Sequence, residues 1–225
     1  MQTNPSLATT VVLTVCLLLA SGCRGAPGTR AERVADSVSG FAGTQGANGW
    51  SYGYWDRSAD ADQCYNPKAD FQLLEHFGRD PINGLSGHPE FTTGDLWYLK
   101  DGVYYTSLWA EGGHANTTLE LGAHAQREHW AVRRWTSTTE GPVSIAGHAG
   151  KVMPWGENWS GGVLALIVVD GKELFRADIG EHGTDYSVNA VVHVGSTVDF
   201  LIGPNPSVGV VRFAATIRTS PGASR

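Results

Sequence analysis

Cysteine is scarce in this chain, with Cys16, Cys23 and Cys64 its three examples. A scaffold stapled by several disulfides is therefore excluded, and a domain of this size has to stand on a hydrophobic core. Charge is scarce too: 17% of residues carry it, and no basic stripe or Arg-rich block interrupts a net charge of −6. Nothing is present to neutralise a row of phosphates, which excludes nucleic acid as a partner. Contact with anionic lipid has no polybasic support either. The catalytic fingerprints Gly-x-Ser-x-Gly, Ser-x-x-Lys, the P-loop and the dinucleotide glycines are all missing. The eight histidines form no His-Glu-x-x-His and have no cysteine pairs beside them, so no metal site is assigned. A transmembrane helix needs ~20 apolar residues, and the N-terminal apolar run, residues 11–20, is far shorter.

That short run leads into Ala20-Ser21-Gly22-Cys23. The pattern resembles the lipobox of bacterial lipoproteins, although residues 1–10 lack the usual Lys or Arg. The resemblance implies a signal peptide over 1–22 and a mature chain that starts at Cys23, with lipidation of Cys23 by a diacylglyceryl group on its thiol and with palmitate as an acyl chain. It places the protein outside the cytoplasm, lipid-anchored to a bacterial membrane. Cys16 leaves with the signal and Cys23 is acylated, so Cys64 remains alone without an intramolecular disulfide. It is either a small buried hydrophobe, the commoner case, or a reactive thiol. Residues 23–39 read as a tether, 40–218 as one domain and 219–225 as a frayed tail.

Within the domain the pattern is that of strands. The 29 glycines and the 10% aromatic content suit tight turns between aromatic-rich strands. Residues 96–99 and 103–109 flank Asp101-Gly102, and 163–169 and 173–179 flank Asp170-Gly171; both dipeptides are hairpin turn signals. Further strands are predicted over 131–135, 143–148, 186–194, 197–202 and 208–217. The clearest helix signal is Asp70 to Gly78, with an N-cap aspartate and a terminal glycine, although a strand remains open there. The expected fold is an all-β, antiparallel sandwich with at most one or two short helices.

The order of motifs is similar to that of a secreted β-sandwich module found in planctomycete-type and exosortase-sorted proteins. Phe41-Ala42-Gly43-Thr44-Gln45-Gly46-Ala47-Asn48-Gly49-Trp50-Ser51-Tyr52-Gly53-Tyr54 resembles its opening motif. Ala131-Val132-Arg133-Arg134-Trp135-Thr136 followed by Gly141-Pro142-Val143-Ser144-Ile145 resembles its Arg-Trp segment. Val169-Asp170-Gly171-Lys172 and Gly195-Ser196-Thr197-Val198-Asp199-Phe200 resemble its closing hairpin and strand. The resemblance spans about residues 41–217 and implies a jelly-roll-like sandwich with a carbohydrate-binding role. The chain departs from the pattern at His124-Ala125-Gln126 and at Ser207-Val208-Gly209-Val210, and no sorting tag follows Ile217.

Alternation along a strand puts Trp50, Tyr52 and Tyr54 on one face, which is read as core, and leaves Trp55 as the exposed ring. The loop carrying Trp155, Glu157, Asn158 and Trp159 is the first choice for a glycan-binding surface: indoles stack on pyranose C–H faces, and the polar pair takes hydrogen bonds. Arg133 and Arg134 face opposite ways, so one guanidinium points inward as a clasp that needs a carboxylate or carbonyl partner. His114, His124 and His129 converge only if their strands are neighbours. Asp56, Asp60 and Asp62, or Glu111 with His114, are the candidate acid–base groups, and a solvated turn is the commoner reading of the first three. The expected activity is non-catalytic binding of an envelope or extracellular glycan, with no cofactor and with structural calcium left open. The alternatives are a polysaccharide-active enzyme, hydrolase or lyase, and a structural module that packs on another envelope protein.

Overall fold

The computed structural model describes residues 31–79, 94–99, 105–119, 126–152, 162–180, 182–206 and 208–220. Two antiparallel sheets face each other. The back sheet runs β12 (Thr184–Val192), β9 (Gly141–Lys151), β14 (Val211–Thr219), β7 (Gly112–His114), β6 (Ser107–Trp109), β5 (Leu96–Tyr98), β4 (His76–Gly78), and β1 (Arg33–Asp36) pairs with the far half of β14. The front sheet runs β11 (Lys172–Ile179), β10 (Gly162–Val169), β13 (Thr197–Asn205), β8 (His129–Thr136), β2 (Trp50–Asp56), β3 (Gln72–Leu73). From β7 onward the chain changes sheet at every connection except the β10–β11 hairpin. The resulting orders, β7-β14-β9-β12 and β8-β13-β10-β11, are the connectivity of a jelly roll. Strands β1 to β6 widen this unit at its edges.

The core lies between the sheets and follows the period of two. Along β2, Trp50 and Tyr52 are fully buried and Tyr54 packs half-buried against the same cluster, as the alternation predicts. Val163, Ala165, Ile167 and Val169 of β10 join them, with Trp135, Phe200, Phe213 and Ile217 from the neighbouring strands. Gln45 ties the opening motif down. Its Nε2 donates to the carbonyls of Tyr52 (2.8 Å) and Leu74 (3.0 Å), and its Oε1 accepts from the Tyr52 N–H at 2.8 Å. A side-chain amide thus stands in for a strand neighbour.

The Asp170-Gly171 hairpin forms as expected. Both residues adopt the left-handed region, φ 49° and 86°, which an inward-twisted two-residue turn requires. The strands β5 and β6 pair in the register Trp97↔Leu108; the intervening Asp101-Gly102 lies outside the described residues. The 3₁₀ turn Ala47–Gly49 lies between β1 and β2. The helix signal at Asp70 to Gly78 is overturned, because this stretch forms β3 and β4. The Leu74 N–H bonds the Tyr52 carbonyl at 3.0 Å, and Leu73 and Phe77 stay largely exposed while Leu74 is buried. The apolar residues share no buried helical face, and pairing of β3 with β2 and of β4 with β5 wins over local propensity.

Candidate functional site

A second apolar cluster sits on the outer side of the front sheet, built from Trp55, Trp130, Val132, Leu166, Val168 and Leu201. Strand alternation produces it: Trp130, Val132 and Arg134 leave β8 on the face opposite Ala131, Arg133 and Trp135. Gly203 on β13 lets the Trp130 ring lie on the neighbouring backbone, since a Cβ there would stand 2.2 Å from the indole.

Residues 57–71, between β2 and β3, cross this face as a strap. Arg134 holds it. Its Nε and Nη2 donate to the two oxygens of Asp199 (2.7 and 2.8 Å), and Nη2 also donates to the Pro67 carbonyl at 2.8 Å. The Tyr65 hydroxyl donates to Asp199 at 2.9 Å, and the guanidinium lies 3.8 Å over the Phe71 ring. Asp199 is fully buried. Burial pushes its carboxyl up, against the hydrogen bonds of Arg134 and Tyr65, and burial also raises the Tyr65 hydroxyl. Arg133, on the other face, is buried between the sheets and donates to the carbonyls of Trp109, Gly112 and Phe213. The two arginines therefore split as predicted, one clasp per face.

The strap divides the outer face into two depressions. One is a groove of about 640 Å³; the other is a hollow of about 880 Å³ bordered by Asp62, Lys68, Phe71, Arg134 and Asp170. The groove has a floor of Trp55 and Trp130, ring centroids 5.5 Å apart, continued by Leu164, Leu166 and Val168. Polar groups stand around that floor in internal pairs. Arg57 meets Glu128 at 3.0 Å, and the same glutamate oxygen accepts the Trp130 indole N–H at 2.9 Å. Arg57 also donates to Gln63 at 2.9 Å. Arg176 is bidentate on Glu173 (2.9 and 2.7 Å), and Asn205 donates to Asp178 at 3.0 Å. From β11 to β2 the groove crosses five strands, a width of ~19 Å at 4.8 Å per strand.

Of the residues singled out in the sequence, Trp55 lies in this groove but not as the exposed ring expected. It is 4% exposed. The strap covers it, Tyr65 packs on it at 5.5 Å, and its Nε1 donates to Asp60 at 3.1 Å. Trp155, Glu157, Asn158, Trp159 and Cys23 lie outside the described residues. Cys64 is exposed, contrary to the commoner expectation, and borders both depressions. Asp56, Asp60 and Asp62 serve as turn acceptors for the backbone of Ala59, Asp62 and Cys64.

Among the described residues no group of three or more His, Cys, Asp or Glu is placed to hold a metal ion. His114 donates to the Ala115 carbonyl, while Glu111 acts on the charge of the buried Arg133. His129 instead lies between Thr106 (3.1 Å) and Asp56 (3.6 Å). That alignment of hydroxyl, imidazole and carboxylate has the order used in acyl transfer. Thr106 is fully buried and His129 is 3% exposed, which seals the hydroxyl from any substrate. Burial drives the His129 ring down to about 4, Asp56 pulling it up and Arg127 pushing it further down.

Sequence reasoning missed Arg57, Glu128, Trp130 and Asn205. One signal for their surroundings was present. Residues 163–169 are apolar without interruption, and such a run in an antiparallel sheet means that both faces are covered.

No protein-family model and no curated protein matches the chain. Among solved structures, the CBM51-2 and INT domains of Clostridium perfringens ZmpB align at 11% identity and a TM-score of 0.32, over 51% of this chain and 23% of theirs. A ruminal GH26 endo-β-1,4-mannanase aligns at 15% identity and a TM-score of 0.28, over 42% of this chain and 19% of its own. Similarity at this level carries no argument about function, which rests on the residues of the groove.

Proposed function

We propose that this chain is an exported, lipid-anchored sandwich domain that binds an envelope or extracellular glycan in the groove of the front sheet and does not turn it over. The observation that carries the reading is the groove itself: an indole and aliphatic floor about five strands wide, ringed by paired polar side chains. Pyranose C–H faces pack against the apolar margin that such a floor leaves open at Leu164, and hydroxyls exchange hydrogen bonds with amide, carboxylate and guanidinium groups at the rim. The width suits a short oligosaccharide segment. Glu128 and Glu173 each spend acceptor capacity on a guanidinium, and the hydroxyl–imidazole–carboxylate alignment is sealed, which favours binding over catalysis.

Trp155 and Trp159, with Glu157 and Asn158, extend the site. Gly162, the described residue that follows this segment in the chain, opens β10 opposite Asn205 on the groove wall. Export and lipidation at Cys23 are supported by the lipobox pattern of residues 20–23.

A glycan array probed with lipid-free residues 24–225, with and without calcium, tests the reading. A specific ligand is expected, its binding weakened by Trp155→Ala with Trp159→Ala and by Thr118→Arg at the exposed rim. A blank array in both conditions overturns the reading in favour of a packing module. Product release from a bound glycan overturns the claim of binding without turnover.

A further inference from the structure

The groove's charges are balanced within it. Among the described residues its charged lining groups are Arg57, Glu128, Glu173 and Arg176, two of each sign, joined as Arg57–Glu128 at 3.0 Å and Arg176–Glu173 at 2.7 Å. A further carboxylate, Asp178, is held by Asn205 at the wall. No guanidinium there is left without a carboxylate, and the carboxylates come already matched. A ligand carboxylate or sulfate meets no net positive charge there and has to share an arginine with the carboxylate already paired to it, at the cost of like-charge repulsion. An amino sugar likewise has to share a carboxylate with the guanidinium already paired to it. A neutral chain breaks no ion pair on entry, because its hydroxyls bridge to the outer edges of the existing pairs while its C–H faces lie against Leu164 and the outer margin of Trp130.

We infer that the groove selects an uncharged oligosaccharide segment and excludes uronic, sulfated and amino glycans. This inference rests on the glycan-binding reading above, and it specifies the chemical class of the ligand.

The test titrates the full mature chain in detergent with four probes: cellotetraose and mannotetraose, both neutral, tetragalacturonate, and the tetramer of glucosamine. Binding of a neutral tetramer is expected, with affinity changing by less than about twofold between ~0.02 and ~0.5 M salt, where exposed charges become screened. Glu173→Gln, at the exposed end of the groove, uncovers Arg176. It is expected to raise affinity for tetragalacturonate roughly two- to fivefold, the size of an exposed ion pair, and this gain should vanish at high salt. Preference of the unmodified chain for either charged tetramer, with affinity that falls with salt, overturns the inference and leaves glycan binding standing. Failure of all four probes together with a blank array overturns both.

Discussion

Acid should weaken this domain in a window set by His129. The ring is 3% exposed, and burial lowers it from the ordinary 6.5 to about 4 despite the nearby Asp56 carboxylate. A group whose folded value lies below its unfolded one favours folding in its deprotonated form. Its contribution is fully present above pH 6.5 and is lost as pH falls through the folded value near 4. Two and a half units at ~1.4 kcal/mol each give a loss of about 3 kcal/mol across the window. Urea unfolding of the mature chain measured from ~pH 7.5 down to ~pH 4 should show this loss, and His129→Gln should flatten the curve over the same range. Asp36 acts in a separate window. Burial alone would raise its carboxyl, but hydrogen bonds from Ser39, Val38 and Thr216 outweigh that and hold it below 3.8, so its share is lost only at lower pH. Identical pH profiles for parent and variant would refute the reasoning. So would an NMR titration of the ring in the parent protein that returns an ordinary imidazole value.

Three further perturbations follow from the geometry. Arg134→Ala leaves Asp199 buried without its counter-charge and unties Pro67, Tyr65 and Phe71; unfolding free energy should fall by about 3–5 kcal/mol, and strap residues should lose amide protection in hydrogen exchange. Gly53→Ala puts a Cβ 2.3 Å from the Gln72 carbonyl and 2.5 Å from the Phe71 ring, which should cost about 1–3 kcal/mol in urea melts. Cys23→Ser should abolish incorporation of labelled palmitate and move the protein from the membrane pellet to the soluble fraction; continued labelling would dismiss the lipoprotein reading.

The parts of the fold legible in the sequence are those governed by local rules. The period of two put Trp50 and Tyr52 in the core and separated Arg133 from Arg134, and the Asp170-Gly171 dipeptide marked its hairpin because few other residues tolerate positive φ at both positions. The candidate site was largely illegible because it depends on long-range placement. Trp55 and Trp130 become one floor only when β2 pairs with β8, and they become a groove only when residues 57–71 fold back over them. Nothing in the residues adjoining Trp55 signals that cover; its anchor, Arg134, lies far away in the chain. The helix signal at Asp70 to Gly78 failed for the same reason, since the carbonyls and amides of β2, for β3, and of β5, for β4, were the stronger partners.

The pairing of β1 with β14 has a mechanical consequence. Arg33, where β1 begins, sits opposite Arg218, near the end of β14, so the two chain ends leave from the same end of one antiparallel pair. Tension between a membrane-held N-terminus and a load on the C-terminus would open this pair one hydrogen bond at a time, beginning at Glu32 and Thr219. Tension carried instead through a ligand in the front sheet would pull β1 against the whole width of the sandwich. On the lipid-anchored, ligand-binding reading proposed above, the molecule would yield early to traction at its tail and resist traction at its groove.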